Sequence, residues 1–155
     1  MLDTGQDAPE FTALNQDDEQ VSLAQFRGDK NVVLYFYPKD DSPGCTTEAN
    51  EFTGLIDKFS AADTVILGVS KDSCEKHRKF IAKHGLRVEL LADTEGSLCE
   101  LYGTWGKRKF MGREYMGIGR STFVIDKSGK LAHVDYKVKA KGHAQAILEI
   151  VQGLA

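Results

Sequence analysis

The order of apolar segments in this chain predicts an α/β sandwich, in which helices flank a central mixed β-sheet and a short β-hairpin comes first. Segments typical of strands and helices follow one another in the order βαβαβαββα. The run Val32–Tyr37 is almost continuously apolar, which is typical of a strand buried on both faces. Near the end, two strand-like segments are separated only by a short turn, so we expect an antiparallel pair and a mixed sheet.

The length of 155 residues is usual for one domain, so we expect residues 1–155 to form a single domain with its own core. The net charge of -3 provides no basic field that would favour nucleic acid. The first residues carry neither a basic segment nor an apolar run, and no long apolar stretch follows. We therefore expect no secretory signal, no membrane or nucleic-acid partner, and a cytoplasmic location.

The N-terminal half contains the hairpin and two strand–helix units. The acidic turn Asp17–Asp18 separates two short apolar segments and predicts the hairpin. A helix is expected after residue 45, because apolar residues recur at helical intervals at Ala49, Phe52, Leu55, Ile56 and Phe59. A second core strand covers Thr64–Ser70. The helix that follows, Asp72–His84, has Asp72 as its predicted N-cap and ends before Gly85.

The C-terminal half is predicted to add a short strand, a short helix, a strand pair and a final helix. These elements cover Val88–Leu91, Thr94–Tyr102, Ser121–Asp126, Lys130–Val134 and Gly142–Gln152. Ser128–Gly129 suits the tight turn between the two paired strands. Basic residues crowd the segment 107–113, where we expect an exposed, solvated loop.

Cys45 stands out as a candidate nucleophile because of its place between two elements. The strand Val32–Tyr37 leads into the turn Pro38–Gly44, and the amphipathic helix follows. This arrangement puts the thiol in the first turn of a helix, where backbone N–H groups point outward without partners. A helix start favours the thiolate, which is the nucleophilic form of cysteine. The sequence therefore predicts a reactive thiol at residue 45.

The residues around Cys45 resemble the active-site pattern of the peroxiredoxins. Pro38, Ser42 and Cys45 have the spacing at which that family carries proline, threonine or serine, and cysteine. The segments 35–48, 102–106 and 119–126 resemble the peroxiredoxin Q branch, also called bacterioferritin comigratory protein. The resemblance covers nearly the whole chain. It implies a thioredoxin-like fold and a thiol peroxidase that reduces hydrogen peroxide and small alkyl hydroperoxides.

The same resemblance implies roles for the neighbours of Cys45. Arg120 would stabilise the thiolate with a charge that is never lost, and Glu48 would hold Arg120 in place. Ser42, which replaces the commoner threonine, would hydrogen-bond the peroxide through its hydroxyl, and Pro38 would shield the thiolate from water. The sequence offers no convincing ligand set for haem, flavin or metal, so we expect no cofactor.

The thiol that regenerates Cys45 stays open among three routes. Better-known members of the branch carry a resolving cysteine five residues after the peroxidatic one, where this chain has Asn50. Cys74 is one candidate, because it opens the helix in which other members place that cysteine, near Ile81, and its position would favour a thiolate. Cys99, among apolar neighbours, is a weaker candidate. The third route is direct reduction by an external thiol.

The leading functional hypothesis is reduction of hydroperoxides through a cysteine sulfenic acid, in a monomer recycled by thioredoxin or a similar thiol donor. One alternative is a redox-sensing protein whose oxidised Cys45 passes its oxidation to a partner protein. Another is a thioredoxin-like disulfide reductase, against which the lack of a Cys-x-x-Cys pair counts.

Overall fold

A computed structural model describes residues 1–154 and has the α/β architecture expected from the sequence. Its strands are β1 (Thr12–Asn15), β2 (Gln20–Ser22), β3 (Asn31–Phe36), β4 (Thr64–Ser70), β5 (Glu89–Ala92), β6 (Trp105–Phe110), β7 (Arg113–Ile118), β8 (Ser121–Ile125) and β9 (Leu131–Asp135). Its α-helices are α1 (Pro43–Gly54), α2 (Ile56–Ala61), α3 (Cys74–His84), α4 (Ser97–Leu101) and α5 (His143–Gln152). No helix in this described part of the chain has both the length and the apolar character needed to cross a membrane.

The central sheet has seven strands in the order β2-β1-β5-β4-β3-β8-β9. The pairs β3–β4 and β4–β5 are parallel, whereas β3–β8, β8–β9, β1–β2 and β1–β5 are antiparallel. The prediction of a mixed sheet with an N-terminal hairpin is therefore confirmed, and the fold is thioredoxin-like. Strand β3 lies between β4 and β8, so the chain that leaves β3 emerges near the middle of the sheet.

The two faces of the sheet support two separate apolar clusters, and β3 contributes to both. Val32, Leu34 and Phe36 point into one cluster, and Val33 and Tyr35 into the other. Every residue of β3 is buried, as predicted for a central strand. The second cluster also holds the inward residues of the α-helices on that face, namely Ala49, Phe52, Phe59, Phe80, Ala144, Ile147, Leu148 and Val151.

Three helix predictions need correction. The helix after residue 45 is interrupted at Leu55, whose backbone (φ −108°, ψ 5°) is not helical, so two helices stand where one was expected. Helix α3 is capped by Ser73, which accepts a hydrogen bond from Lys76 N at 3.2 Å, and not by Asp72. The Asp72 carboxylate instead accepts hydrogen bonds from residues 40 and 70. In α5, the helical spacing of Ala146, Ile147, Ile150 and Val151 predicts an inward-facing stripe, but Ala146 is exposed.

The basic segment 107–113 is not a loop, as was expected, but part of a separate two-stranded hairpin. Strands β6 and β7 pair in register from Trp105–Ile118 to Phe110–Arg113. The two-residue turn Met111–Gly112 has positive φ at both positions (51° and 80°), which suits the twist of a tight hairpin. The sequence pattern hid these strands because most of their side chains are exposed, so no apolar alternation marks them.

Candidate active site

Cys45 is the third residue of α1, as the sequence predicted. Ser42 is the N-cap in an extended conformation, and Pro43 occupies the first helical position, where a missing N–H costs nothing. The Cys45 side chain is buried, with 1% of its surface exposed, within the apolar cluster that includes Tyr35 and Ala49. The sulfur therefore lies both at the start of a helix and within an apolar cluster.

Arg120 contacts Cys45 and Glu48 with two different nitrogens of its guanidinium. Its Nη2 donates to Cys45 Sγ at 3.4 Å, and its Nη1 donates to Glu48 Oε1 at 2.7 Å. Glu48 follows Cys45 by three residues and so projects from the same side of α1. Arg120 comes from another part of the chain, directly before β8. Because Phe36 at the end of β3 pairs with Ser121, the antiparallel register brings Arg120 beside the helix that follows β3.

Burial dominates the electrostatics of Glu48. The side chain is fully buried, and this burial raises its pKa to about 7, although the charge and hydrogen bond of Arg120 pull the pKa down. Burial by itself lowers the pKa of Arg120, but Glu48 and Cys45 outweigh it and raise that pKa above its ordinary value. Arg120 thus keeps its charge beside the sulfur, while Glu48 holds a proton for part of the time near neutral pH.

Ser42 and Pro38 lie in the turn before Cys45, and neither forms a hydrogen bond with its sulfur. The Ser42 hydroxyl donates to the Lys39 carbonyl at 3.0 Å. Its lone pairs stay available to accept a hydrogen bond. Pro38 is exposed directly after β3, and the burial of Cys45 comes from the apolar cluster. The roles inferred for these two residues stay predictions.

The two other cysteines lie in different surroundings from Cys45, and none of the three is in a disulfide. Cys99 belongs to the apolar cluster on the opposite face of the sheet, and burial together with Asp93 raises its pKa. Cys74 is half-buried at the start of α3. Burial, followed by contact with the Asp18 carboxylate, raises the pKa of Cys74. The expected preference of Cys74 for the thiolate is therefore wrong, because desolvation and a negative neighbour outweigh the helix start.

Asn50 is exposed on α1 and Ile81 is half-buried on α3, so both positions discussed for a resolving thiol are occupied by unreactive side chains.

Among residues 1–154, no cluster of histidine, cysteine, aspartate and glutamate has the arrangement of a metal site.

A group of polar side chains near Cys45 escaped the sequence analysis. The Tyr35 hydroxyl is buried without a hydrogen-bond partner among the described residues, and burial, with the nearby Glu48 and Cys45, raises its pKa. In the turn itself, the Asp40 carboxylate contacts His77 of α3, with 2.7 Å between Oδ2 and Nδ1. An acidic residue in the turn and a histidine in an otherwise apolar helical stripe were the only signals of this contact.

Comparisons with known proteins find relatives along nearly the whole chain. The model of the AhpC/TSA family matches residues 4–134. The chain is 46% identical to peroxiredoxin Bcp of Bacillus subtilis over 154 residues, which is 99% of this chain and 98% of the relative. It is 41% identical to peroxiredoxin Bcp of Escherichia coli K12 over 147 residues, covering 95% and 94%.

A solved structure also has the same fold as this chain. A structure of the bacterioferritin comigratory protein of Xanthomonas campestris, described with its alkyl peroxide reduction activity, superposes with a TM-score of 0.90. The two proteins share 34% sequence identity over 98% of this chain and 99% of the other.

Proposed function

The chain belongs to the AhpC/TSA family and is a peroxiredoxin, a thiol peroxidase, and from this we propose that Cys45 is the residue that attacks the peroxide. The observation that carries the proposal is the 3.4 Å contact of Arg120 Nη2 with the Cys45 sulfur at the start of α1. A guanidinium beside a buried thiol stabilises the negative sulfur, which is the nucleophilic form.

In the first step, the Cys45 thiolate attacks one oxygen of the hydroperoxide. An S–O bond forms as the O–O bond breaks, so the sulfur is oxidised by two electrons to a sulfenic acid and the peroxide is reduced. The departing oxygen takes up a proton and leaves as water or an alcohol. Arg120 stabilises the charge that passes from sulfur to oxygen, and it acts beside a sulfur that is almost completely buried from water.

Three further residues support this step. Glu48 holds one edge of the Arg120 guanidinium through its 2.7 Å hydrogen bond and so directs the other edge towards the sulfur. The Ser42 hydroxyl, now turned to the Lys39 carbonyl, rotates to hydrogen-bond the bound peroxide. Pro38 stiffens the turn before the helix, because its ring fixes φ.

In the second step, a thiol attacks the sulfenic sulfur, water leaves, and a disulfide forms. A second thiol then attacks this disulfide and releases Cys45 in its reduced form. The donor we propose is thioredoxin or a similar dithiol protein. Cys74 is the proposed internal resolving thiol, with Cys99 and direct external reduction as the other routes. Because Cys45 is 1% exposed, the first turn of α1 must loosen before any of them reaches it.

The substrates we propose are hydrogen peroxide and small alkyl hydroperoxides, in line with the alkyl peroxide reduction described for the Xanthomonas protein. The test is peroxide consumption coupled to thioredoxin, thioredoxin reductase and NADPH. We expect Cys45→Ser to abolish turnover, while Cys99→Ser, which changes the opposite face of the sheet, keeps it. Turnover retained in Cys45→Ser would disprove the assignment.

A redox-sensing role is the second candidate, favoured by one observation. Cys99 lies on the other face of the sheet and Cys74 lies beside Asp18, so no thiol of the described chain rests next to Cys45. An oxidised Cys45 that lacks an adjacent internal thiol persists for longer and can transfer its oxidation to another protein. Slow turnover with fast disulfide transfer to one partner would favour this role.

A further inference from the structure

The turn that precedes Cys45 is tied to α3 by a buried polar network centred on Asp40. The Tyr37 hydroxyl donates to Asp40 Oδ1 at 2.6 Å, and His77 Nδ1 contacts Asp40 Oδ2 at 2.7 Å. The Asp40 backbone N–H donates to Asp72 Oδ2 at 2.8 Å. The His77 side chain is 0% exposed and that of Asp40 is 7% exposed, so solvent does not screen their contact.

His77 is held from both sides, which makes the network rigid. Its Nε2 faces the Leu91 carbonyl of β5 at 2.9 Å, and because a carbonyl only accepts, this nitrogen must carry a proton. A second proton then lies between Nδ1 and the Asp40 carboxylate. Both oxygens of that carboxylate and both nitrogens of the ring have partners. Removing one member would leave a buried polar group unpaired, which proteins tolerate poorly.

A buried histidine whose two ring nitrogens both have hydrogen-bond partners could serve stability alone, wherever in the core it lies. This histidine, however, contacts the one segment that connects β3 to Cys45, five residues before the sulfur. The adjacent Asp41 also contacts α3, through Lys83 and His84, but those contacts are at the exposed surface. Among the described residues of α3, His77 is the buried side chain that forms a hydrogen bond with the turn.

We propose that Asp40 and His77 are positioning residues, which hold the turn before Cys45 closed for peroxide attack and must separate before a thiol reaches the oxidised sulfur. The inference rests on the proposed role of Cys45. The closed turn keeps the sulfur beside Arg120, where attack occurs, and the same closure leaves that sulfur 1% exposed. One contact thus favours the first half-reaction and opposes the second.

The test measures the two half-reactions separately. The first is the second-order rate of reduced protein with hydrogen peroxide. The second is the rate at which dithiothreitol reduces the sulfenic acid of Cys45, measured with Cys74→Ser present in every variant so that no internal disulfide forms. In Asp40→Ala we expect the first rate to fall at least tenfold and the second to rise severalfold. A role limited to stability would lower the melting temperature without moving the two rates in opposite directions. Rates that stay equal to those of the wild type would overturn the inference.

Asp40→Asn is the conservative variant. Its amide oxygen can accept from Tyr37, and its NH2 can donate to His77 Nδ1 when that nitrogen carries no proton, so each hydrogen bond of the network can form without the carboxylate charge. We expect both rates within about threefold of the wild type. A loss in Asp40→Asn as large as in Asp40→Ala would overturn positioning by these hydrogen bonds. Asp41→Asn, which changes the neighbouring exposed acid at a φ of 63° that asparagine tolerates, is the matched control and should leave both rates unchanged.

Tyr37→Phe covers the case in which Asp40→Ala fails to fold. It removes a single hydroxyl from the network and should shift both rates in the same directions by smaller factors; no shift in either rate would contradict the inference. Failure of the proposed function is distinguishable, because wild-type protein whose Cys45 does not react with peroxide would refute that function, whatever the Asp40 variants do.

Discussion

The Arg120 guanidinium lies 3.4 Å from the Cys45 sulfur, although 75 residues separate them in the chain. The antiparallel pairing of β3 with β8 creates this contact, because it sets the start of β8 beside the end of β3. The same guanidinium binds Glu48 one helical turn after Cys45. A charge that is held from two sides in a buried site needs no rearrangement when the reaction begins.

The first prediction concerns this guanidinium. Arg120→Ala removes the charge at the sulfur, and we expect the second-order rate constant for hydrogen peroxide to fall about 100-fold. Arg120→Lys keeps a charge but cannot reach two partners in a fork. Its rate constant should therefore lie between those of the wild type and Arg120→Ala. Stopped-flow reaction of the reduced protein measures each rate. Arg113→Ala, on the exposed strand β7, is the control, and an unchanged rate in Arg120→Ala would contradict the prediction.

The second prediction concerns the pH dependence of stability through Glu48. Its pKa of about 7, above the ordinary 4.5, means that the folded protein holds a proton that the unfolded chain releases. This contribution to stability is fully present below pH 4.5 and is lost as the pH rises through 7. Glu48→Gln cannot titrate there. Between pH 4 and 8, the wild type should therefore lose on the order of 3 kcal/mol relative to that variant.

Urea denaturation across this pH range measures the difference in unfolding free energy. Glu75→Gln, which replaces an exposed carboxylate of α3, serves as the control and should follow the wild type closely. If the difference in unfolding free energy between the wild type and Glu48→Gln stays constant with pH, then burial does not raise the pKa of Glu48.

The third prediction concerns the resolving thiol. After stoichiometric peroxide we expect a Cys45–Cys74 disulfide, which peptide mass mapping detects. In Cys74→Ser the sulfenic acid of Cys45 should accumulate and react with dimedone, whereas Cys99→Ser should behave as the wild type. Asp18→Asn should speed disulfide formation, because the Asp18 carboxylate opposes the thiolate of Cys74. A map with only oxidised Cys45, or with a Cys45–Cys99 link, would favour another route.

The fourth prediction concerns packing beneath the site. A Cβ at Gly68 of β4 would lie 2.7 Å from Tyr35 Cζ and 2.8 Å from Leu90 Cδ2, and both side chains are buried. Gly68→Ala should therefore destabilise the protein by about 2 kcal/mol. Gly54→Ala, at the end of α1, meets open space and should be neutral or slightly stabilising. The melting temperatures of the two variants, measured by thermal unfolding, test this difference in stability. Equal melting temperatures would contradict the packing argument.

Local patterns predicted those parts of the fold that depend on neighbouring residues. Strand β4 has the predicted bounds, and β3 differs from its prediction by one residue at each end. The left-handed Gly85 ends α3 as expected, with φ of 63°. The β6–β7 hairpin was missed, because its exposed strands carry no apolar alternation, and only the positive φ of Met111 and Gly112 explains its turn.

The sequence by itself determined the fold class, the position of Cys45 at a helix start, and the resemblance of the residues around it to the peroxiredoxin motif. These depend on periodicity and on motif spacing, which the chain carries locally. The tertiary structure alone decided that Arg120 bridges Cys45 and Glu48 and that His77 contacts Asp40 in the turn. It also decided that Cys99 lies on the face of the sheet opposite to Cys45. Such contacts depend on sheet register and on desolvation, both of which arise only when distant segments pack together.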